Sequence, residues 1–201
     1  MTRWQPNARG RLVQAALELY GERGYEQTTV AEIAARAGLT ERTFFRYFAD
    51  KREVLFSGSD ELRALLVEAV EAAPRSAAPL EIVAAALETA GASIQDRTGH
   101  ERASQRQALI TTHAELRERE LIKLASLAAT IGEALRRRGV EDATASLAAE
   151  AGIGAFKVAF QRWVDDRRRR ELRYHIRAAI EELKTLASRA TSGSRLRRSA
   201  R

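Results

Sequence analysis

The sequence predicts an all-α fold of about nine helices, in which a three-helix helix-turn-helix domain precedes a larger helical domain. The composition favours helix over sheet, because Ala, Leu, Arg and Glu dominate the 201 residues, runs of β-branched residues are almost absent and there are only three prolines. Apolar residues recur with a helical period up to about residue 190. We therefore expect one domain over residues 1–50, a second over 51–190 and a disordered basic tail over 191–201.

The first three predicted helices are short and follow one another closely. The first ends at Gly24 and has an apolar face formed by Val13, Ala16, Leu17 and Tyr20. The second ends at Gly38, and its apolar face is formed by Val30, Ile33, Ala34 and Ala37. The third covers about residues 41–48 and carries Phe44 and Phe48 on one face. Because so short a helix is unstable alone, these two rings must anchor it to the first two helices.

The remainder of the chain is also helical in its apolar period. A long fourth helix is predicted from Asp50 to about Ala73, where Pro74 and Pro79 mark a break. Further helices are expected over 79–95, 101–112, 114–138, 141–165 and 169–189. From Thr191 onward the chain is rich in Ser, Gly and Arg without periodicity, which predicts disorder.

Several classes of protein are disfavoured by residues that the sequence lacks. With no cysteine there can be no disulfide framework, zinc finger or thiol nucleophile. No stretch approaches the roughly 20 apolar residues of a membrane span, so we expect a cytoplasmic protein. The three histidines, His100, His113 and His175, are scattered, and the sequence has no HExxH, P-loop, GxGxxG or GxSxG motif. We expect no metal, no cofactor and no enzyme activity, and an enzyme is a remote alternative.

The positive charge is unevenly placed along the chain. The net charge of the chain is +7. Residues 1–57 contain nine basic and seven acidic residues, a net charge of +2, and residues 58–166 contain thirteen basic and seventeen acidic residues, a net charge of −4. Residues 167–201 contain twelve basic and three acidic residues, a net charge of +9. A basic protein is compatible with a nucleic-acid partner. A solvated helix face that continues into a tail would give the same count, so net charge alone does not identify the partner.

Residues 28–51 show the pattern of two helices joined by a tight turn. Thr29 and Glu32 have capping-box spacing, in which each side chain bonds the other residue's backbone amide. Gly38 can take the positive φ of the turn, and Thr40 can cap the next helix. Two helices that meet at a steep angle need small residues at the contact, which are present as Ala34, Ala35 and Ala37.

The third helix is predicted to present its polar face to DNA. With its two rings buried, the side chains that project outward near its N-terminus are Glu41, Arg42, Thr43 and Arg46. Arg42 can donate two hydrogen bonds to a guanine edge, and Glu41 can accept one from a cytosine amino group. Phosphate contacts are expected from Thr40, Thr43, Tyr47 and Lys51, the last at the start of the predicted fourth helix.

This segment resembles the DNA-binding domain of the TetR/AcrR family over about residues 9–55. The family pattern appears as Gly38-Leu39-Thr40, as Thr43-Phe44-Phe45-Arg46-Tyr47-Phe48 and as Asp50-Lys51. Two positions depart from it: Phe45 stands where the family usually has a phosphate-binding tyrosine, and Tyr47 where histidine is common. The predicted DNA-contact set is Thr28, Thr29, Thr40, Glu41, Arg42, Thr43, Phe45, Arg46, Tyr47 and Lys51.

The resemblance implies a homodimer formed by the last two helices. The sequence offers an a/d pattern for such a bundle at Leu172, Ile176, Ala179, Leu183 and Leu186. Helix eight offers a smooth face of small residues, of which Gly154 is included in the predicted interface. The alternative is that these stripes face the core of the monomer.

The resemblance also implies an effector pocket enclosed by helices four to eight. Candidate lining residues are Leu62, Leu66, Arg102, Arg106, Leu109, Thr112, His113, Leu116, Leu124, Phe156 and Phe160. Arg102, Arg106 and His113 could meet an anionic group, or be solvated. The stretches ELRERELIKLASL and GIGAFKVAFQRWVDD are similar to a subgroup of the family with acyl-CoA-like ligands.

The expected function is that of a ligand-responsive repressor that binds a palindromic operator as a homodimer. The expected partners are double-stranded operator DNA, a second copy of the chain and a small, largely apolar effector, with no membrane. The alternative is a nucleoid-associated DNA-binding protein without a specific effector, which would bind with a steep salt dependence and little sequence preference.

Overall fold

The computed structural model describes residues 7–198, with side chains described through Arg189. Its regular structure in that range is entirely helical, which confirms the all-α prediction. One 3-10 turn, Glu53–Phe56, lies between the third and fourth helices. The α-helices are α1 (Ala8–Arg23), α2 (Val30–Arg36), α3 (Glu41–Tyr47), α4 (Ser59–Ala72), α5 (Pro79–Thr98), α6 (His100–Thr112), α7 (Ala114–Arg137), α8 (Asp142–Val164) and α9 (Leu172–Arg198).

The chain forms two compact units whose boundaries differ from those predicted. Unit 1 consists of the residues up to Ser59 together with Glu101–Glu120, and unit 2 of Asp60–His100 with the chain from Leu121 onward. The 3-10 turn that follows residue 50 buries Val54, Leu55 and Phe56 in the core of unit 1, so the contacts of this unit extend past the predicted boundary. Ile110 and Leu116, far along the sequence, join the same core.

The core of unit 1 holds α1, α2 and α3 together. Phe44 and Phe48 of α3 are buried as predicted and lie 5.5 Å apart between ring centroids. They pack with the buried face of α1, which comprises Leu12, Ala15, Ala16, Leu19 and Tyr20. Residues about four positions apart on α1 form this face because they share one side of a helix. The aromatic anchors thereby fix a seven-residue helix that could not persist alone.

Unit 2 is built around α5, α8 and α9, which pack directly on one another. Gly91 of α5 allows a close approach, because a Cβ there would lie 2.5 Å from Cδ1 of Ile176. Leu172, Ile176 and Ala179 of α9 are buried within the single chain. Most of the predicted dimer stripe therefore belongs to the monomer core. An apolar stripe at helical spacing identifies a buried face but not the partner that buries it.

Two predicted helices differ from those observed. The fourth is not continuous from Asp50, because Gly58 at φ 91° separates the 3-10 turn from α4. The last helix, α9, continues to Arg198, through most of the segment for which we expected disorder. Extending an existing helix adds a hydrogen bond per residue without a new nucleation cost, so no apolar face is needed for the continuation. Residues 199–201 of the predicted tail lie outside the described residues.

Candidate nucleic-acid interface

The start of α2 and the turn from α2 into α3 are fixed by local features that the sequence predicted. The Glu32 amide donates to Thr29 Oγ1 at 3.2 Å, and the Thr29 amide donates to Glu32 Oε2 at 2.9 Å, which completes the capping box. Gly38 has φ 64°, and the Thr43 amide donates to Thr40 Oγ1 at 3.2 Å. The hydrogen bonds from Thr29 lower the pKa of Glu32, which keeps the cap ionised at neutral pH.

Helix α3 presents an exposed face beside this turn. Glu41 and Arg42 are exposed in its first turn, and no described residue bonds or ion-pairs with Arg42. Phe45 is 54% exposed and Tyr47 38% exposed, which is unusual for large rings on a helix of only seven residues. An unpartnered guanidinium at the N-terminal end of a short, well-anchored helix suits insertion into a major groove.

The other predicted contacts on α3 have partners within the chain. Arg46 stacks on the Tyr47 ring, 5.0 Å from its centroid, and donates to the Tyr47 hydroxyl at 3.2 Å. Thr43 is half-buried, and its hydroxyl shares a hydrogen bond of 3.1 Å with that of Thr40. Exposed pairs of this kind are weak, so Arg46 and Tyr47 can exchange this contact for a phosphate.

Two predicted DNA contacts have structural roles instead. Thr28 is only 1% exposed, and its hydroxyl donates to the Gly24 carbonyl at 2.8 Å. Lys51 Nζ donates to the carbonyls of Tyr25, Glu26 and Thr28 at 2.9, 3.2 and 3.2 Å, which uses all three of its protons. The ammonium also lies 4.5 Å from the centroid of the Tyr25 ring. In this geometry Lys51 closes the α1–α2 loop, and its role as a phosphate ligand stays a prediction.

Most other cations of this unit are also held within the protein. The Arg11 guanidinium donates to the Ala37 carbonyl and so ties α1 to the α2–α3 turn. Three arginines are ion-paired: Arg23 to Glu32 at 2.7 Å, Arg36 to Glu22 at 2.8 Å and Arg52 to Asp50 at 2.6 Å. The arrangement stabilises the helix-turn-helix and leaves Arg42 as the exposed cation of α3 without a described partner.

Comparison with known proteins identifies this interface. A family model described as bacterial regulatory proteins of the tetR family matches residues 12–57. The helix-turn-helix segment of this chain is therefore similar to that of tetR-family regulatory proteins. The HTH-type transcriptional regulator TcmR from Streptomyces glaucescens is 35% identical over 88 residues, which cover 44% of this chain and 39% of TcmR. The chain thus matches about two fifths of that relative's length.

Solved structures of TetR-family regulators share the fold over most of the chain. SmeT from Stenotrophomonas maltophilia, in complex with triclosan, has a TM-score of 0.60 at 18% identity and covers 89% of this chain and 90% of its own. FadR from Bacillus subtilis, in complex with stearoyl-CoA, has a TM-score of 0.56 at 22% identity, with 87% and 96% covered. At these identities the likeness establishes the fold.

Unit 1 contains a cation–aromatic cluster that the sequence pattern did not predict. The guanidinium groups of Arg106 and Arg119 lie 5.2 and 5.0 Å from the centroid of the Phe56 ring. Arg106 also donates to the Leu55 carbonyl and to Glu120, both at 2.6 Å, and Arg119 pairs with Glu53 at 2.6 Å. Arg106 is thus occupied within the protein, which contradicts its predicted role toward an anionic effector group.

His113, the other predicted effector contact of this region, is also engaged within unit 1. Its Nδ1 lies 2.9 Å from the Leu109 carbonyl, which makes this nitrogen the donor. Its ring meets the Tyr25 ring edge-on, with centroids 4.9 Å apart. Burial, with Glu115 nearby, raises the pKa of Tyr25, so the phenol stays neutral. Only tertiary contacts between residues nearly ninety positions apart could reveal this pairing.

The predicted effector residues are divided between the two units. Arg102, Arg106, Leu109, Thr112, His113 and Leu116 lie in unit 1, where Leu116 is fully buried and Leu109 packs on the same core. Leu62, Leu66, Leu124, Phe156 and Phe160 lie in unit 2, and Phe156 and Phe160 have ring centroids 5.9 Å apart. Neither unit alone contains all eleven residues, so the pocket that the family resemblance implied stays a prediction.

Unit 2 also has an open groove of about 640 Å³, which is lined mostly by residues of α4. Its lining residues are Asp60, Arg63, Ala64, Val67, Glu68, Glu71, Ala72 and Thr130. None of them was predicted as an effector contact. Within residues 7–198 no group of His, Cys, Asp and Glu side chains could hold a metal ion, and no helix is long and apolar enough to cross a membrane.

Proposed function

We propose that this chain is a ligand-responsive transcriptional repressor that binds a palindromic operator as a homodimer. The observation that carries the proposal is the exposed, unpartnered Arg42 on a short α3 that the Thr40 cap and two buried rings hold in place. Such a helix can be inserted in a major groove without reorganisation. Arg42 would donate both N–H groups to a guanine edge, and Glu41 would accept from a cytosine amino group.

A different face of the last two helices supports the homodimer. On α8 an exposed stripe follows steps of four and three through Leu147, Ala151, Gly154 and Val158, of which Leu147 is 72% and Val158 46% exposed. No atom outside its own helix lies within 4 Å of a Cβ built on Gly154, so a partner helix could approach it closely. On the part of α9 whose side chains are described, Tyr174 and Leu186 are large apolar side chains that are exposed, Leu186 to 68%. Of the predicted interface, Gly154 and Leu186 remain on this surface.

The effector site belongs to unit 2 in this proposal. Leu66, Leu124 and Phe156 form apolar packing there, which an apolar ligand could replace by displacing side chains. SmeT and FadR, which share this fold, bind triclosan and stearoyl-CoA, and each of these ligands has an apolar part. Because Arg106 and His113 are engaged in unit 1, an anionic group on the effector would need another partner, such as the exposed Arg102.

Selection from a randomised duplex library with the purified full chain tests the proposal. We expect enrichment of an inverted repeat whose half-sites are about one helical turn apart, or a multiple of it. A matched selection with Arg42→Ala should lose the preference at one base pair per half-site. Enrichment of no sequence at all, with binding that depends steeply on salt, would contradict the repressor and favour a nucleoid-associated protein.

A further inference from the structure

The turn between α8 and α9 is an ordered structure built around one carboxylate. Asp166 accepts the Arg168 amide at 2.9 Å, the Arg170 guanidinium at 2.8 Å and the buried His175 ring at 3.0 Å. The Arg169 amide donates to the Asp166 carbonyl at 3.0 Å, and Arg169 has φ 52°. A side-chain-bearing residue seldom adopts that left-handed conformation, so the surrounding bonds must hold it.

This turn presents three consecutive arginines to solvent. Arg167, Arg168 and Arg169 are exposed, and no side chain of the described residues bonds or ion-pairs with their guanidinium groups. The carboxylates nearest in sequence do not neutralise them fully. Asp166 is taken up by its four donors and Glu171 is paired with Arg173. Asp165 accepts from the Gln161 amide group at 2.9 Å and is the one exposed carboxylate beside the three arginines in the turn.

The position of these cations contrasts with unit 1. Residues 1–57 contribute a net charge of only +2, and in the described part most of their basic side chains are engaged with carboxylates, carbonyls or rings. A protein that binds duplex DNA at physiological salt commonly neutralises several phosphates for each DNA-binding domain. The helix-turn-helix offers few free cations for that purpose, whereas the α8–α9 turn offers three.

We propose that the α8–α9 turn, through Arg167, Arg168 and Arg169, is a second surface of this protein that binds the backbone of duplex DNA. The inference rests on the proposed DNA-binding function and adds a site outside the helix-turn-helix. Guanidinium groups that are exposed on a turn suit the phosphates of a duplex rather than an enclosed small anion. Contacts of this kind carry no sequence information, so the turn adds affinity and salt dependence while α3 determines which sequence is bound.

The experiment compares two charge-matched double variants of the full chain. Arg167→Gln with Arg168→Gln removes two cations from the turn and leaves Arg169, with its strained backbone, unchanged. Arg75→Gln with Arg189→Gln removes two exposed cations that no described residue pairs, in the α4–α5 loop and near the C-terminal end of α9. Thermal unfolding first establishes that both variants are folded. Affinity is then measured over a series of salt concentrations on the selected duplex and on a scrambled duplex of equal length.

The turn variant should lose affinity for both duplexes by about the same factor, roughly tenfold at low salt, and its slope of log affinity against log salt should be shallower by about 1 to 2 per protomer. The control should keep the wild-type slope. An unchanged slope in the turn variant, or an equal loss in the control, would overturn the second surface. If the wild-type chain prefers no sequence, the proposed repressor is refuted. Even then, a salt dependence of affinity that becomes shallower in the turn variant and not in the control would support the second surface.

Discussion

At the scale of single residues, Arg42 is expected to determine sequence and not overall affinity. Its guanidinium is exposed at the start of α3 and no described residue competes for it. Arg42→Ala should therefore weaken binding to the selected duplex by about 1–3 kcal/mol and leave the scrambled duplex nearly unaffected. Fluorescence anisotropy on both duplexes measures the difference. An equal loss on both would mean that Arg42 contacts phosphate and that α3 enters the groove in another register.

Lys51 is expected to stabilise the folded protein, whereas its position in the motif suggests a contact with a DNA phosphate. Lys51→Met would leave three backbone carbonyls without their donor and remove the cation from the Tyr25 ring. We expect a loss of about 2–3 kcal/mol in the free energy of unfolding, because hydrogen bonds from a charged donor are among the stronger ones. Chemical denaturation measures it, with Arg42→Ala as the control that should retain wild-type stability. A fully stable Lys51→Met protein with a shallower salt slope would restore the phosphate role.

These two residues also show how far sequence alone could lead. The caps, the turn glycine and the aromatic anchors were predictable because each depends on residues three or four positions apart. The role of Lys51 was not, because it depends on three carbonyls that converge from the α1–α2 loop, more than twenty positions earlier. The same holds for Arg106, whose partners Leu55 and Glu120 lie on separate elements.

At the scale of elements, the α8–α9 turn should depend on the ionisation of Asp166. Its hydrogen bonds, chiefly the one from Arg170, hold the pKa of Asp166 well below its usual range. A carboxyl whose pKa is depressed in the folded state stabilises the fold above its unfolded pKa of about 3.9, and this contribution is lost as the pH falls toward the folded value. Asp166→Asn should therefore lower the melting temperature at pH 7, and its deficit relative to wild type should shrink below about pH 4.

The neighbouring Asp165 provides the matched control for this pH series. It is exposed, and its carboxylate accepts a hydrogen bond from the Gln161 side chain. Asp165→Asn should change the melting temperature little at any pH, because an exposed contact of this kind contributes little to stability. Calorimetry of the three proteins between pH 3 and pH 7 measures the series. A deficit in Asp166→Asn that stays constant with pH would show that packing, and not ionisation, stabilises the turn.

The stripe along α9 illustrates why elements are easier to predict than their partners. The spacing of Leu172, Ile176 and Ala179 correctly identifies a buried helix face. Whether α5 of the same chain or a second chain covers that face depends on Gly91, which admits Ile176 at close range. These three residues face the core of the monomer, which is the alternative that the sequence left open. Dimer interface and monomer core have the same local pattern, so periodicity cannot separate them.

At the scale of the whole molecule, the burial of Leu172, Ile176 and Ala179 within one chain changes which substitutions can test the homodimer. Ile176→Glu would place a charge in the packed core of unit 2, so loss of the dimer there would only report unfolding. Val158 lies instead on the exposed stripe of α8, next to Gly154, and is 46% exposed. Val158→Glu leaves the monomer core intact and would bury two like charges, one from each chain, in a symmetric interface.

We therefore expect Val158→Glu to fold with wild-type helicity and melting behaviour in dilute solution but to weaken dimerisation by about two orders of magnitude, which corresponds to roughly 3 kcal/mol. Leu121→Glu is the matched control, because Leu121 is a comparably exposed apolar residue on α7, away from the α8–α9 stripe. Sedimentation velocity at micromolar concentration should show a monomer for the first variant and a dimer for the second. Operator affinity should fall with the dimer, because a single α3 reads only one half-site. A Val158→Glu chain that remains dimeric would exclude this stripe from the interface, and a dimer lost equally in Leu121→Glu would place the interface on another surface.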